Sequence, residues 1–352
     1  MSNEIFIWGR VFSQTIAQTK LAGTWTKAKY FSTHGLAIDA AGGLWSTGDN
    51  SSGALGIGSL ESTLFPTWNQ VGTAKWKDIA GGNGTSIGIQ EDGSLWYWGK
   101  DLVTLAAVQN PTLLDAGVWD SVYCSDSGTE HALAINAAGA LYSWGYNGEG
   151  ELGVGDYTSR ATPTLVHSGP WVHAACHSGG SIAVKEDGTL WVFGQTWIGS
   201  SSALSSVPVQ VGVDTGWATV AAGLNSYLAI KIDKTLWSWG YSSSGSNWGI
   251  LGLGDATLYT YSPMQLPGNS WVKVFATYGH ALGVQADGTL WAWGTDAYDT
   301  LGIAAVGAQV FAPTLVDTFD GWNDAWAGRQ VSVAFKLIMP FWTNSRGQRE
   351  VL

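Results

Sequence analysis

WVKVFATYGHALGVQADGTLWAWG, residues 271–294, contains the pattern of the whole chain in one unit. A tryptophan opens a run of small and β-branched residues, Asp-Gly makes a turn, and a hydrophobic pair, a variable residue, usually an aromatic, and a glycine close it. The closing phrase occurs seven times: IFIWG (5–9), LWSTG (44–48), LWYWG (95–99), LYSWG (141–145), LWVFG (190–194), LWSWG (236–240) and LWAWG (290–294). Its glycines are spaced by 39, 51, 46, 49, 46 and 54 residues. A period of roughly 40 to 50 residues built from short strands is the signature of a β-propeller.

The opening phrase also occurs seven times, from Trp25, Trp76, Trp119, Trp171, Trp217, Trp271 and Trp322. Asp92-Gly93, Asp187-Gly188 and Asp287-Gly288 stand between the two phrases and read as hairpin turns, because a primed turn needs positive φ and glycine adopts it freely. Asp233-Lys234 departs from that chemistry and predicts a strained Lys234. After the closing phrase come Gly-rich loops, NSSGALGIGS (50–59), NGEGELGVGD (147–156) and SNWGILGLGD (246–255), with YDTLGIAA (298–305) as a degraded copy. Proline-led runs follow at Pro66, Pro111, Pro163, Pro208, Pro263 and Pro313. They belong at strand starts and outer edges, since proline cannot donate to a ladder.

The two phrases are out of phase at the ends. The chain opens on IFIWG with no tryptophan phrase before it and closes on the Trp322 phrase with no LWxWG after it. Two half-units make a whole one. The expected fold is therefore all-β, a seven-bladed propeller over residues 1–335 as a single domain, its last blade closed by Ile5–Gly9 pairing with the Trp322–Phe335 hairpin. Residues 336–352 are a C-terminal tail, read either as a cover for that blade or as a docking arm.

Composition narrows the function. Charged residues make up 12% of the chain and the net charge is −11. Affinity for phosphates needs a basic face, so nucleic acid and acidic membrane surfaces are poor partners. No apolar run reaches the ~18 residues of a membrane span, and MSNEIFIWGR does not read as a secretory signal; virion or cytoplasm is the expected location. Most of the 22 tryptophans lie within the two phrases and are expected to pack blade against blade. The only cysteines, Cys124 and Cys176, take equivalent places in neighbouring units and are expected to be free, buried thiols.

The order of tryptophan phrase, Asp-Gly turn, LWxWG, G-x-L-G-x-G and proline-led run, clearest in Trp119–Thr164 and Trp271–Val316, resembles the regulator of chromosome condensation repeat. The resemblance covers about residues 5–335 and implies the propeller. It also implies a choice of roles: nucleotide exchange on a small GTPase with chromatin docking through a basic tail, inhibition of a β-lactamase through an aromatic-rich face, or a place among phage and bacterial repeat proteins. The short, non-basic N-terminus, used for closure, speaks against the first.

No H-x-x-x-H or C-x-x-C pair offers metal-ligand spacing, no G-x-S-x-G elbow appears, and the Gly-rich loops lack the lysine of a phosphate loop. No enzyme, cofactor or metal is expected. His34, His131 and His280 are expected to be hydrogen-bonded inside their own blades. His173 and His177 flank Cys176, a chance metal site at most. Asp156 and Asp255 read as turn caps, with calcium as the alternative.

Function on a propeller usually lives in the segments that break the repeat. The candidate partner-binding residues are Trp68, Trp197, Trp248, Tyr259, Tyr261 and Tyr298, set among Ser, Gly and Asn in the manner of adaptable protein-binding surfaces, together with Phe341, Trp342, Arg346 and Arg349 of the tail. The insertions 194–207 and 241–262 and the first-unit segment 10–24 are read as loops. The chain is thus expected to be a non-enzymatic protein-interaction module, a structural or accessory component of a virion or bacterial surface assembly. A free-standing inhibitor or adaptor and a glycan-binding propeller are the alternatives.

Overall fold

The computed structural model describes residues 3–337, apart from 12–13, 62–63, 127–129, 168, 199–202, 242–248, 256, 258, 304–308 and 318–320, together with the short strands Phe341–Thr343 and Arg349–Val351. The propeller is a ring of four-stranded antiparallel blades. The tryptophan-led strand is innermost in each, so blades 1 to 7 start at Trp25, Trp76, Trp119, Trp171, Trp217, Trp271 and Trp322. The second strand follows the first hairpin, the closing phrase is the third, and in blades 1 to 6 a proline-containing strand is the fourth. Blades 7, 1 and 2 run together as one ten-stranded sheet. Two long strands, Gln14–Tyr30 and Leu64–Gly81, each pass without a break from the outermost position of one blade to the innermost of the next.

Closure occurs as the half-units demand. Ile5, Ile7 and Gly9 pair with Phe335, Val333 and Val331. The strand Asn3–Val11 then pairs on its other side with the start of Gln14–Tyr30, so blade 7 takes two strands from each end of the chain. This corrects the reading of 10–24 as a loop: it turns back as a hairpin and supplies the fourth strand of blade 7.

Local chemistry explains the phrases. Asp187 Oδ1 accepts from the backbone N–H and the hydroxyl of Thr189, and Thr189 Oγ1 accepts from the Trp191 indole at 2.8 Å. The same relay recurs at Asp92–Ser94–Trp96, Asp233–Thr235–Trp237 and Asp287–Thr289–Trp291. Each turn thereby fixes the indole that follows it. Lys234 sits at φ +66° where the equivalent turns carry Gly42, Gly93, Gly139, Gly188 and Gly288, as the departure predicts. Asp156 and Asp255 cap turns by accepting from the backbone N–H of Thr158 and Thr257.

Apolar residues gather into seven clusters among the described residues, each shared by two neighbouring blades. Each blade also carries an edge-to-face aromatic pair between the phrase tryptophan and the second residue of its closing phrase, as in Trp171–Trp191 and Phe6–Trp322. The Gly-rich loops plug the gaps between blades: Leu55, Leu152, Leu251 and Leu301 are buried. The Leu55 and Leu152 amides donate to Asn50 and Asn147.

The histidines bond across blades, which corrects their assignment to their own blades. Nε2 of His34, His131 and His280 lies 2.7, 2.7 and 2.9 Å from the hydroxyl of Ser86, Ser181 and Ser332 in the next blade. Each serine donates onward to a carbonyl of the plugging loop, at Ala54, Glu151 and Thr300. The serine proton is thus committed, so the histidine must donate, which fixes the Nε2–H tautomer.

Candidate functional site

Two features could carry function: the central channel and one loop-bearing face. The innermost strand of every blade is an edge strand, with one row of backbone groups unpaired toward the axis. Side chains two residues after the phrase tryptophan satisfy part of that row in the next blade. Asp78 accepts from Val122 N–H at 3.2 Å, and His173 Nδ1 from Val220 N–H at 3.4 Å. Four residues after the tryptophan, Lys29 donates to the Ile79 carbonyl at 2.6 Å.

A cavity of about 500 Å³ runs along this axis, lined by residues of all seven blades. Its polar ring takes one residue per blade: Lys27, Asp78, Ser121, His173, Thr219, Lys273 and Asp324. Lys27 pairs with Asp78 at 2.6 Å and Lys273 with Asp324 at 2.9 Å. Beside this ring, Lys29 lies 4.7 Å over the Trp326 ring, and Tyr123 and Phe275 add aromatic walls. Burial works against an ionised Asp78, but Lys29 and Lys27 outweigh it and hold the carboxyl below its ordinary range. Burial lowers Lys29 and lowers His173 to about 4, so His173 is neutral. Cys124 and Cys176 are free, half-buried thiols, both shifted upward by burial.

The far end of the channel is acidic. Asp126 accepts from Ser32 N–H at 3.1 Å, reaching past blade 2 to blade 1. Glu130 is 3% exposed, accepts from Asn83 N–H and from the Thr85 hydroxyl, and faces Lys100 at 3.6 Å. Burial raises Asp126 to about 6, and Glu130 and Glu151 to about 7.

These shifts set a pH dependence. Burial depresses His34, His131, His177 and His280 to about 3. The folded chain rejects protons that the unfolded chain takes up below about pH 6.5, so the histidines lose stability as pH falls. The raised carboxyls act in the opposite sense: the folded chain keeps protons that the unfolded chain releases, and stability falls as pH rises from about 4 to their folded values. Five histidines outnumber three carboxyls, and below about pH 4 the carboxyls stop opposing them. Each unbalanced proton is worth about 1.4 kcal/mol per pH unit. The urea midpoint is expected to peak near neutrality, decline gently to pH 5 and drop steeply below; a midpoint constant from pH 7 to pH 4 contradicts this account.

On the loop-bearing face the structure brings three candidate residues together. Trp197 lies parallel to Tyr241 and Tyr261, with centroids 5.6 and 6.1 Å away, and Tyr259 packs on Tyr261 at 5.3 Å. Trp197 comes from blade 4 and the tyrosines from blade 5; Tyr241 and Tyr259 are ladder partners, so they share a side of the sheet. Trp197 holds φ +46° and Tyr259 is 53% exposed. Tyr298 stands apart, covered by the Arg10 guanidinium at 5.3 Å. Trp68 is half-buried against Trp25 and Tyr30. Trp248 and Arg346 lie outside the described residues, as do the side chains of Phe341, Trp342 and Arg349. Sequence reading missed Tyr241 and the channel ring; aligning the seven tryptophan phrases two and four residues past the tryptophan exposes the ring as charged residues recurring in otherwise apolar strands.

Comparison with known proteins agrees with this architecture. The Regulator of chromosome condensation (RCC1) repeat matches residues 138–184. The Ultraviolet-B receptor UVR8 of Arabidopsis thaliana is 29% identical over 204 residues, covering 51% of this chain and 44% of the receptor. The human E3 ubiquitin-protein ligase HERC2 is 26% identical over 312 residues, 81% of this chain and 6% of the ligase. The chain thus matches less than half the length of either relative. Among solved structures, Prp20p from Saccharomyces cerevisiae, described with its binding to Gsp1p and histones, superposes with a TM-score of 0.83 at 17% identity over 97% of this chain and 92% of its own. Human WBSCR16 gives 0.81 at 17% identity over 96% and 99%. Seven tryptophan-led blades, a ring closed by Ile5–Gly9 against Val331–Phe335 and these likenesses together make the chain an RCC1-like propeller.

Proposed function

We propose that the chain is a non-enzymatic protein-interaction module that works as a structural or accessory component of a larger assembly, and that it docks through the loop face of blades 4 and 5. The observation that carries this reading is the Trp197–Tyr241–Tyr261 stack with Tyr259 exposed at its edge. Aromatics already ordered against one another give contact area at little entropic cost on binding. They arise in two of the segments where the chain departs from its repeat, 194–207 and 241–262. The printed description of Prp20p, with its binding to Gsp1p and histones, supports protein as the class of partner. The net charge of −11 argues against nucleic acid. The low charge and the abundance of small residues suit a virion or bacterial surface complex, and the tail 336–352 is a second arm toward such an assembly.

The combined substitution of Tyr259→Ala and Tyr261→Ala tests the docking face. Affinity purification from the native source with each protein as bait is expected to recover a partner with the wild type and to lose it with the variant, at unchanged melting temperature. A partner retained by the variant removes the face from consideration. A glycan-array signal abolished by the same substitution moves the reading to carbohydrate recognition, and a soluble one-to-one complex with a target enzyme moves it to an inhibitor.

A further inference from the structure

The central channel is a separate matter from the docking face. At its polar ring three ammonium groups, Lys27, Lys29 and Lys273, meet two carboxylates, Asp78 and Asp324, while a third carboxylate, Asp126, lines the opposite end. Lys273 has Asp324 at 2.9 Å, and Lys27 has Asp78 at 2.6 Å. Lys29 lies farther from that same Asp78 Oδ1, at 3.9 Å. It also donates to the Ile79 carbonyl, lies over the Trp326 ring and is within electrostatic reach of Lys27 and Asp324. The neighbouring His173 is uncharged. Lys29, 17% exposed, therefore shares the Asp78 carboxylate with Lys27. A sequestered charge of that kind is unfavourable unless a counter-ion matches it.

The surroundings specify the counter-ion. A cavity of about 500 Å³ falls within the range of small-molecule sites. It is apolar along most of its wall, with Ala175, Ala221 and Ala222 leaving room opposite Tyr123, Phe275 and Trp326. The ends of Lys27, Lys273 and Asp324 are each about two-fifths exposed, so the polar ring is open to solvent. The chain as a whole carries −11, so the positive excess is confined to this ring.

We propose that the channel is a binding site for a small amphiphilic carboxylate, whose head group sits among Lys27, Lys29 and Lys273 and whose apolar or aromatic body lies against Tyr123, Phe275 and Trp326. The bare alternative is a water-filled axis in which the lysines only stitch edge strands together. The two differ in charge preference. Calorimetric titration of the intact chain with 3-phenylpropionate is expected to show saturable one-site binding, about tenfold tighter than with the neutral 3-phenylpropionamide, the scale of one charge-assisted hydrogen bond. Lys29→Met is expected to erase that preference, and Ala221→Phe, which fills the channel without touching a charge, to abolish binding of both compounds. No saturable binding to the wild type, equal affinity for acid and amide, or an affinity untouched by Ala221→Phe each overturns the assignment. The comparison of acid with amide uses the unmodified chain, so it decides the question even if a variant does not fold. None of these outcomes bears on the aromatic face of blades 4 and 5.

Discussion

A chain that begins at Arg10 is expected to be unfolded or aggregated at temperatures where the intact chain is native. The missing strand is the third of blade 7 and hydrogen-bonds on both sides, to Val331–Leu337 and to the outer strand that follows it. Ile5, Ile7 and Trp8 are 0%, 2% and 1% exposed, and the Trp8 indole donates to the Thr300 carbonyl at 2.7 Å, fastening blade 7 to blade 6. Burial of each such side chain is worth about 1.5–3 kcal/mol. The sum is comparable to the whole stability of an ordinary domain, about 5–15 kcal/mol. The loss also exposes Val331, Val333 and Phe335 along an open ladder, which invites pairing with other chains. Circular dichroism melting with light scattering checks this; a truncated chain that melts with the intact one dismisses closure by the first strand.

Gly99→Ala is the point substitution with the largest expected cost. The closing glycine of each phrase lies at positive φ, +83° here, where the third strand bulges so that the next amide can reach back. Lys100 N–H donates to the Gly84 carbonyl at 2.8 Å. A Cβ on Gly99 would stand 2.2 Å from that same oxygen and 3.1 Å from the Ala54 backbone. Neither is the end of a flexible side chain, so the blade must shift and the bond must go. Left-handed backbone alone costs about 1–2 kcal/mol. With the clash and the lost hydrogen bond we expect at least about 3 kcal/mol, seen as a lowered urea midpoint. Gly155→Ala is the control: its φ is +95°, but nothing stands within 4 Å of a Cβ, so only the conformational cost of about 1 kcal/mol applies. Equal losses at the two sites would show that the close approach at Gly84 is unimportant.

What could be read in the sequence was what repeats locally. The blade number, the Asp-Gly turns, the prolines of the outer strands and the strained Lys234 all follow from short patterns whose partners lie a few residues away. What escaped depended on the next blade. His34 and Ser86 are 52 residues apart, and no local rule links them. Residues 10–24 looked like a loop because they lack the phrase, yet the neighbouring strand needed an outer partner. Trp197 was a candidate from its setting, but its stacking on Tyr241 and Tyr261 depends on how two adjacent blades place their loops. Lys29, in the apolar run of the first blade, gave no sign that its carboxylate was shared.

The rungs that seal the ring also determine how it bears a mechanical load. Asn3 and Leu337 are opposite one another at the same extremity of an antiparallel pair. Tension applied between those two residues does not drag one strand lengthwise past the other; it parts the seam like a zip, one rung after another from Asn3–Leu337 toward Gly9–Val331. A propeller built this way yields readily to a pull between Asn3 and Leu337.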